Sequence, residues 1–257
     1  MTTDIELYEL FYTDTQIFFK ILNLLRNSYD RELTQYLIYS DDNYLNYLKK
    51  KSLDKRNNWI FYFLESDTNK FIGFTIFKKV NGNIFLNQLI LDKEFQKRGL
   101  GKKIFFLALR MLESLHPKGY FKYLELEAFA SNLYINQFYR DLGMDFCGCR
   151  NWYRLDVPNF SETPDCYCQQ EKYDLINDEN NFSQLVHNES QIGTFINEKY
   201  LRLNTENFNL ASLKKISPKG ICINTRSELD MPVIDKSIAY RSPLSRILYN
   251  LTNVYAL

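Results

Sequence analysis

Residues 59 to 116 constrain the fold more than any other part of the chain. WIFYFLES (59–66) and FIGFTIFKKV (71–80) read as strands, rich in aromatic and β-branched residues and separated by the turn-forming DTNK. Asn81-Gly82 follows, the strongest short hairpin signal, because a two-residue type I′ turn needs positive φ at both positions. NIFLNQLILD (83–92) is the return strand. A loop holding Gly99 and Gly101 comes next. KKIFFLALRMLESLH then carries Ile104, Ala108, Met111 and Leu115 at helical spacing, which predicts an amphipathic helix stopped by Pro117 and Gly119.

The flanks extend this plan. IELYEL (5–10) alternates like a first strand, and Thr15 to about Leu48 reads as helix, with Ile17, Ile21, Leu24 and Leu25 as one stripe and Leu37, Tyr44, Leu45 and Leu48 continuing it. YLELEAF (123–129) alternates as a strand. Leu133 to Leu142 is a short helix closed by Gly143, and FCGCRNWYRLDV (146–157) is a strand or hairpin. The expected fold class is α/β (α+β, mixed sheet), with a domain over 1–157. From Pro158 the run NFSETPD is linker-like and periodicity weakens. Residues 158–257 are expected to be a C-terminal extension or small second domain, with short helices near 191–200 and 243–252 and a strand at 220–224. No internal repeat is visible.

Composition closes off several functions. Tyr (19) and Phe (20) are frequent, so an aromatic core is expected. The net charge of +1 makes no case for nucleic acid or an anionic membrane. No apolar run approaches the ~18 residues of a membrane span. The N-terminus opens with an acid rather than a basic leader, and five cysteines do not suggest a disulfide framework, so a cytoplasmic protein is expected. KKKSLDKR (49–56) reads as a solvated surface. Cys147, Cys149, Cys166 and Cys168 could in principle bind zinc, but C-x-C departs from the usual C-x₂₋₄-C, so no metal is expected. His116 and His187 receive no role.

Gly99 and Gly101 follow a strand and open a helix, flanked by Lys97, Arg98, Lys102 and Lys103. A helix N-terminus offers unpaired N–H groups and partial positive charge, and glycine lets backbone approach an anion closely. The dinucleotide fingerprint would need glycine where Ile104 stands, and the P-loop spacing is wrong. An ordinary strand-to-helix turn is the competing reading.

The wider pattern resembles a known family. Gln96-Lys97-Arg98-Gly99-Leu100-Gly101 is similar to the Q/R-x-x-G-x-G/A loop of the GNAT superfamily of acyl-CoA-dependent N-acetyltransferases. LELEAFASNLYINQFYRDLGM (124–144) resembles its second signature of strand, Asn, helix with Tyr, and Gly, with Met144 where Phe is usual. The resemblance spans about residues 3–157 and is nearest to bacterial enzymes that acetylate protein N-termini. It implies acetyl-CoA as co-substrate, its pyrophosphate held by main-chain amides from Lys97 to Lys102, with Gln96 and Lys103 at the edges. Leu89 and Leu91 would pair through their backbones with the pantetheine arm. Asn132 would contact pantetheine, although an N-cap is its ordinary use. Tyr139 would protonate the leaving thiolate, although packing is its ordinary use.

A base is also required, since an ammonium is not a nucleophile. Phe85 stands where many members carry a Glu, with Asn87 and Gln88 nearby. Glu127, twelve residues before Tyr139, matches the base of the N-terminal acetylating enzymes, and Glu125 shares its strand face. Two solvated glutamates, or deprotonation through water, are the alternatives. The function implied is acetyl transfer from acetyl-CoA to a primary amine of an unidentified protein, peptide or small molecule. The rival is an inactive acyl-CoA-binding or interaction module.

Overall fold

The expected meander is present in the computed structural model, which describes residues 4–155, 173–208, 213 and 218–255. β2 (Asn58–Glu65), β3 (Phe71–Val80) and β4 (Asn83–Leu91) pair antiparallel, and β1 (Ile5–Glu9) joins the other edge of β2. Asn81 and Gly82 both take positive φ, 49° and 78°, as the hairpin requires. β3 is buried continuously from Phe71 to Phe77, which fits its unbroken apolar run, since covering both faces removes any need for alternation. α4 (Leu100–Ser114) then crosses to β5 (Tyr123–Phe129), which lies parallel to β4. A parallel neighbour cannot be reached by a tight turn, so the helix is the connection. α5 (Leu133–Asp141) follows.

The long helical region expected over 15–48 is broken. α1 (Thr15–Arg26) ends before Asp30, whose side chain accepts from the Glu32 amide and caps the short α2 (Arg31–Thr34). A short 3₁₀ turn at Ile38–Ser40 precedes α3 (Tyr44–Leu53). Asp, Ser and Asn compete for backbone hydrogen bonds, and this segment holds Ser28, Asp30, Ser40, Asp41, Asp42 and Asn43.

The chain divides into two compact units that are not consecutive stretches. The first comprises residues up to Ser28, Leu48–Gly148 and Ile238 onward, and the second Tyr29–Tyr47 with Cys149–Ser237. The boundary expected at Pro158 falls outside the described residues. The C-terminal stretch belongs to the first unit because Ile238–Pro243, the end of β12 (Val233–Pro243), lies beside β5, where the Leu244 amide donates to the Lys122 carbonyl. α6 (Leu244–Tyr255) then buries Leu244, Ile247, Leu248 and Leu251 in the same core as Ile104, Phe105, Ala108 and Leu112 of α4.

In the second unit, Cys149–Leu155 of β6 (Asp145–Leu155) carries the residues that pair with β11 (Gly220–Thr225). β11 is parallel to β10 (Tyr200–Leu203), and β10, β9 (Ser190–Ile196), β8 (Ser183–His187) and β7 (Asp174–Asn177) form an antiparallel meander. The helix expected at 191–200 is therefore a strand and a turn. Asn197 and Glu198 take positive φ there and close the hairpin, which a helix would not permit. The strand expected at 220–224 and the helix expected at 243–252 are present. This unit has its own core of Tyr153, Leu185, Phe195, Leu201, Leu203, Leu213, Ile221 and Ile223. Its strand plan, four antiparallel strands and then a parallel one, repeats that of β1 to β5.

Candidate acyl-transfer site

The site begins where β4 and β5 part. They pair only over Ile84–Leu86 against Leu124–Leu126, then continue to Leu91 and Phe129 without pairing. β4 also bulges: Ile76 faces Gln88 while Phe77 faces Leu86, so Asn87 is the extra residue. A bulge twists its strand away from its neighbour, and an opened edge presents main-chain donors and acceptors to an extended ligand. Leu89 and Leu91 lie on this stretch, their side chains packed partly against the core.

Beyond Leu91 the loop is held from both ends. Asp92 accepts from the Glu94 amide at 3.2 Å, buried Phe95 anchors the turn, and Gln96 Nε2 donates to the Leu91 carbonyl at 2.8 Å. Lys97 (φ 60°) and Gly99 (φ 76°) are left-handed on either side of Arg98. Alternating handedness turns successive N–H groups into one concavity, a nest suited to an anion. Gly99 caps α4, whose first turn carries no acidic residue and offers Lys102 and Lys103, both half-buried. A Cβ added at Gly101 would meet nothing within 4 Å, so the space before the helix end is open. These residues fit a pyrophosphate.

Asn132 caps α5, its Oδ1 accepting from the Ile135 amide at 3.1 Å. The ordinary reading of this residue is thus realised. Tyr139 lies two turns on, buried against Phe138 and Tyr240, with ring centroids 5.1 Å and 6.0 Å away. The two carboxylates differ. Glu125 is half-buried and engaged, accepting from Asn83 Nδ2 at 3.0 Å and pairing with Arg241 Nε at 3.4 Å. Glu127 is exposed. Phe85 lies across from Glu125 on β4, and its ring is 4.7 Å from the Lys78 ammonium. Burial pushes the Lys78 pKa down, the charge of Glu127 opposes that shift, and Lys51 adds to it.

Sequence reasoning missed three groups at this site. Lys78 stands in the strand run FIGFTIFKKV and carries no signal of its own. Asn136 is a buried polar residue on the inner side of α5, one turn after Asn132, and that misplaced polarity was a usable signal. Tyr240 comes from a part of the sequence without pattern and gave none.

Other sequence candidates take ordinary places. Cys147 and Cys149 are exposed on β6, while Cys166 and Cys168 lie outside the described residues. Among the described residues no group of three or more metal-binding side chains assembles, and no helix is long and apolar enough to cross a membrane. His116 stacks on Tyr120 and packs edge-on against Trp59 and Phe121.

The acetyltransferase (GNAT) family model matches residues 19–144. No curated protein matches the chain. Among solved structures, a tandem GNAT protein from the clavulanic acid biosynthesis pathway is 10% identical, covers 94% of this chain and 99% of its own, and superimposes with a TM-score of 0.61. A Pyrococcus horikoshii protein put forward as an acetyltransferase is 10% identical over 95% and 90%, with a TM-score of 0.58. The ribosomal-protein-S18-alanine N-acetyltransferase of Escherichia coli is 14% identical over 94% of each chain, at 0.47. At these identities the structural likeness speaks for the fold, and the last is too distant to speak for a substrate.

Proposed function

Because the acetyltransferase (GNAT) family model matches residues 19–144, we propose that the chain transfers the acetyl group of acetyl-CoA to a primary amine of a protein, peptide or small molecule. The observation that carries this is the parting of β4 and β5 at the Asn87 bulge, directly before a nest-like loop on a helix N-terminus. The loop from Gln96 to Lys103 would hold the pyrophosphate through main-chain amides, with lysine charge adding attraction. The opened edge at Leu89 and Leu91 would pair with the pantetheine arm, and Asn132 would meet it from the start of α5.

The amine must first lose a proton, to Glu127 directly or through water. Its lone pair then attacks the acetyl carbonyl, whose developing negative charge a main-chain N–H near Leu89 would stabilise. The C–S bond breaks, Tyr139 gives its proton to the departing thiolate, and the surplus proton on the new amide nitrogen returns to the Tyr139 phenolate. The products are an amide and free CoA. Five cysteines with no evident framework suit a reducing compartment, so the cytoplasm is part of the proposal.

One observation favours the rival reading of a non-catalytic acyl-CoA module. The position beside Glu125 that would carry the commoner base is filled by Phe85 under Lys78. Release of free thiol from acetyl-CoA, measured across a panel of amines and N-terminal peptides, separates the two. Amine-dependent release supports the enzyme. Tight CoA binding with no release for any amine would leave the binding module.

A further inference from the structure

Asn136 lies in α5 four residues after Asn132 and three before Tyr139, and it is 2% exposed. Its side-chain amide uses both ends. Nδ2 donates to the carbonyls of Phe129 (2.7 Å) and Asn132 (2.8 Å), and Oδ1 accepts from the Tyr240 hydroxyl (2.9 Å). Phe129 ends β5 and Asn132 caps α5, so one side chain ties the strand end to the helix start. Tyr240 reaches it from β12, 104 residues further along the chain. The Tyr240 ring is also 6.0 Å from that of Tyr139. Its hydroxyl stays protonated through the neutral range, because burial raises its pKa against the opposing charge of Arg140.

We propose that Tyr240 is a positioning residue for acetyl transfer: through Asn136 it fixes the β5–α5 turn, and with that turn the placement of Asn132 and Tyr139. The inference rests on the reading of this site as an acetyltransferase centre. Without the Tyr240 hydroxyl, the Asn136 carbonyl becomes a buried acceptor with no donor and the amide is free to rotate away from Phe129 and Asn132. A shift of about 1 Å at the start of α5 moves the Tyr139 hydroxyl by a similar amount, and misplacement on that scale can cost ~10²-fold in rate. The segment after Ile238 is therefore part of the catalytic unit, although it lies beyond the residues that the family match covers.

The test is a cycle of Tyr240→Phe, Tyr139→Phe and the double variant in the full chain, followed by thiol release, with calorimetry of acetyl-CoA binding. Tyr240→Phe should lower kcat about tenfold or more, and should add nothing further in the Tyr139→Phe background, since residues acting as a unit are not additive. Wild-type turnover, or a fully additive loss, overturns the proposal. If Tyr139→Phe itself turns over normally, the general-acid reading fails. The positioning role is then judged on acetyl-CoA affinity, which Tyr240→Phe weakens if it holds the Asn132 turn and leaves unchanged if it does not. Should Tyr240→Phe not fold, Asn136→Ala cuts the same tie from the other side. A kcat loss that is not additive with Tyr139→Phe supports the proposal there, and normal turnover overturns it.

Discussion

Gly73 and Gly193 hold the same register in two separate strand pairs. Gly73 of β3 faces Leu91, the last residue of β4, and Gly193 of β9 faces Leu203, the last residue of β10. A Cβ at Gly73 would overlap the Ile90 carbonyl oxygen, and one at Gly193 would come within 2.8 Å of the Arg202 carbonyl oxygen. The residue before each glycine is isoleucine, and its carbonyl accepts from the residue after the strand: Asp92 to Ile72 at 2.8 Å, Asn204 to Ile192 at 2.9 Å. The second unit thus repeats the first in strand plan and in this close contact.

The repeat does not extend to the loop. Counting on from Leu91 and from Leu203, Lys102-Lys103-Ile104 matches Lys214-Lys215-Ile216, but Ala211 and Leu213 stand where Gly99 and Gly101 do. Leu213 is buried in the core of the second unit. Glycine, the residue that lets a backbone approach an anion closely, is absent from these positions of the sequence. A single acetyl-CoA per chain is therefore expected. Isothermal calorimetry checks the stoichiometry, and binding of a second equivalent would refute the expectation of a single site.

Gly101→Glu is the cleaner of two tests of the loop. Gly99 is left-handed, so a side chain there strains the backbone by about 1–2 kcal/mol whatever it does to the ligand. Gly101 has no such φ and faces open space, so a glutamate should fold and place negative charge before the helix N-terminus. CoA affinity should fall ~10-fold or more by calorimetry, for about 1.4 kcal/mol of lost attraction. Unchanged affinity with an unchanged melting temperature would move the pyrophosphate elsewhere.

Alkaline pH should loosen the second unit. Burial pushes Tyr36 up to about 12 from 10.0, and raises Tyr39 and Tyr44 further. Above pH ~10 these phenols ionise in the unfolded chain but not in the folded one, so the folded state binds more protons there and stability falls as pH rises. Below that pH their contribution is fully present. Lys78 acts the other way, but in the first unit, since a lowered lysine pKa favours folding as pH rises toward its unfolded value. Urea melts between pH 9 and pH 12, followed by phenolate absorbance, should show cooperative loss of structure coincident with ionisation. Ionisation of every tyrosine near pH 10 with the fold intact would contradict the burial.

What the sequence revealed depended on how local the cause was. Strand alternation, Asn81-Gly82 and the glycine loop are set by residues a few positions apart, and all three are where they were expected. Helix faces were read less well. On α4, Met111 and Leu115 are 36% and 47% exposed while Phe105, Leu109 and Leu112 are buried. That helix is apolar over so wide an arc that periodicity alone does not choose the inner stripe. On α1 the buried line runs through Phe18, Ile21, Leu22 and Leu25 rather than Ile17 and Leu24. The return of β12 to β5, and with it the contact of Tyr240 with Asn136, was illegible because nothing local announces a pairing more than one hundred residues away. The repeat was hidden because its most recognisable element, the glycine loop, is the part that differs.

Glu127 and Glu125 differ in their surroundings, and the proposed role of Glu127 as proton acceptor is tested against that difference. Glu125 is held on one oxygen, Oε1, by both Asn83 and Arg241. Glu127 is exposed beside Lys78, one alternation further along β5, where the strand has parted from β4. Glu127→Gln keeps shape and removes the basic group, so CoA binding should survive while kcat/KM falls ~10²-fold at neutral pH. Raising the pH should recover part of that loss, because free amine then forms in solution. Glu125→Gln should slow turnover less and cost at most about 1 kcal/mol of stability, as expected for a partly exposed ion pair. Small and equal effects from both variants would point to deprotonation through water. A large kinetic loss confined to Glu125→Gln would mean that Arg241 and Asn83 orient the true base.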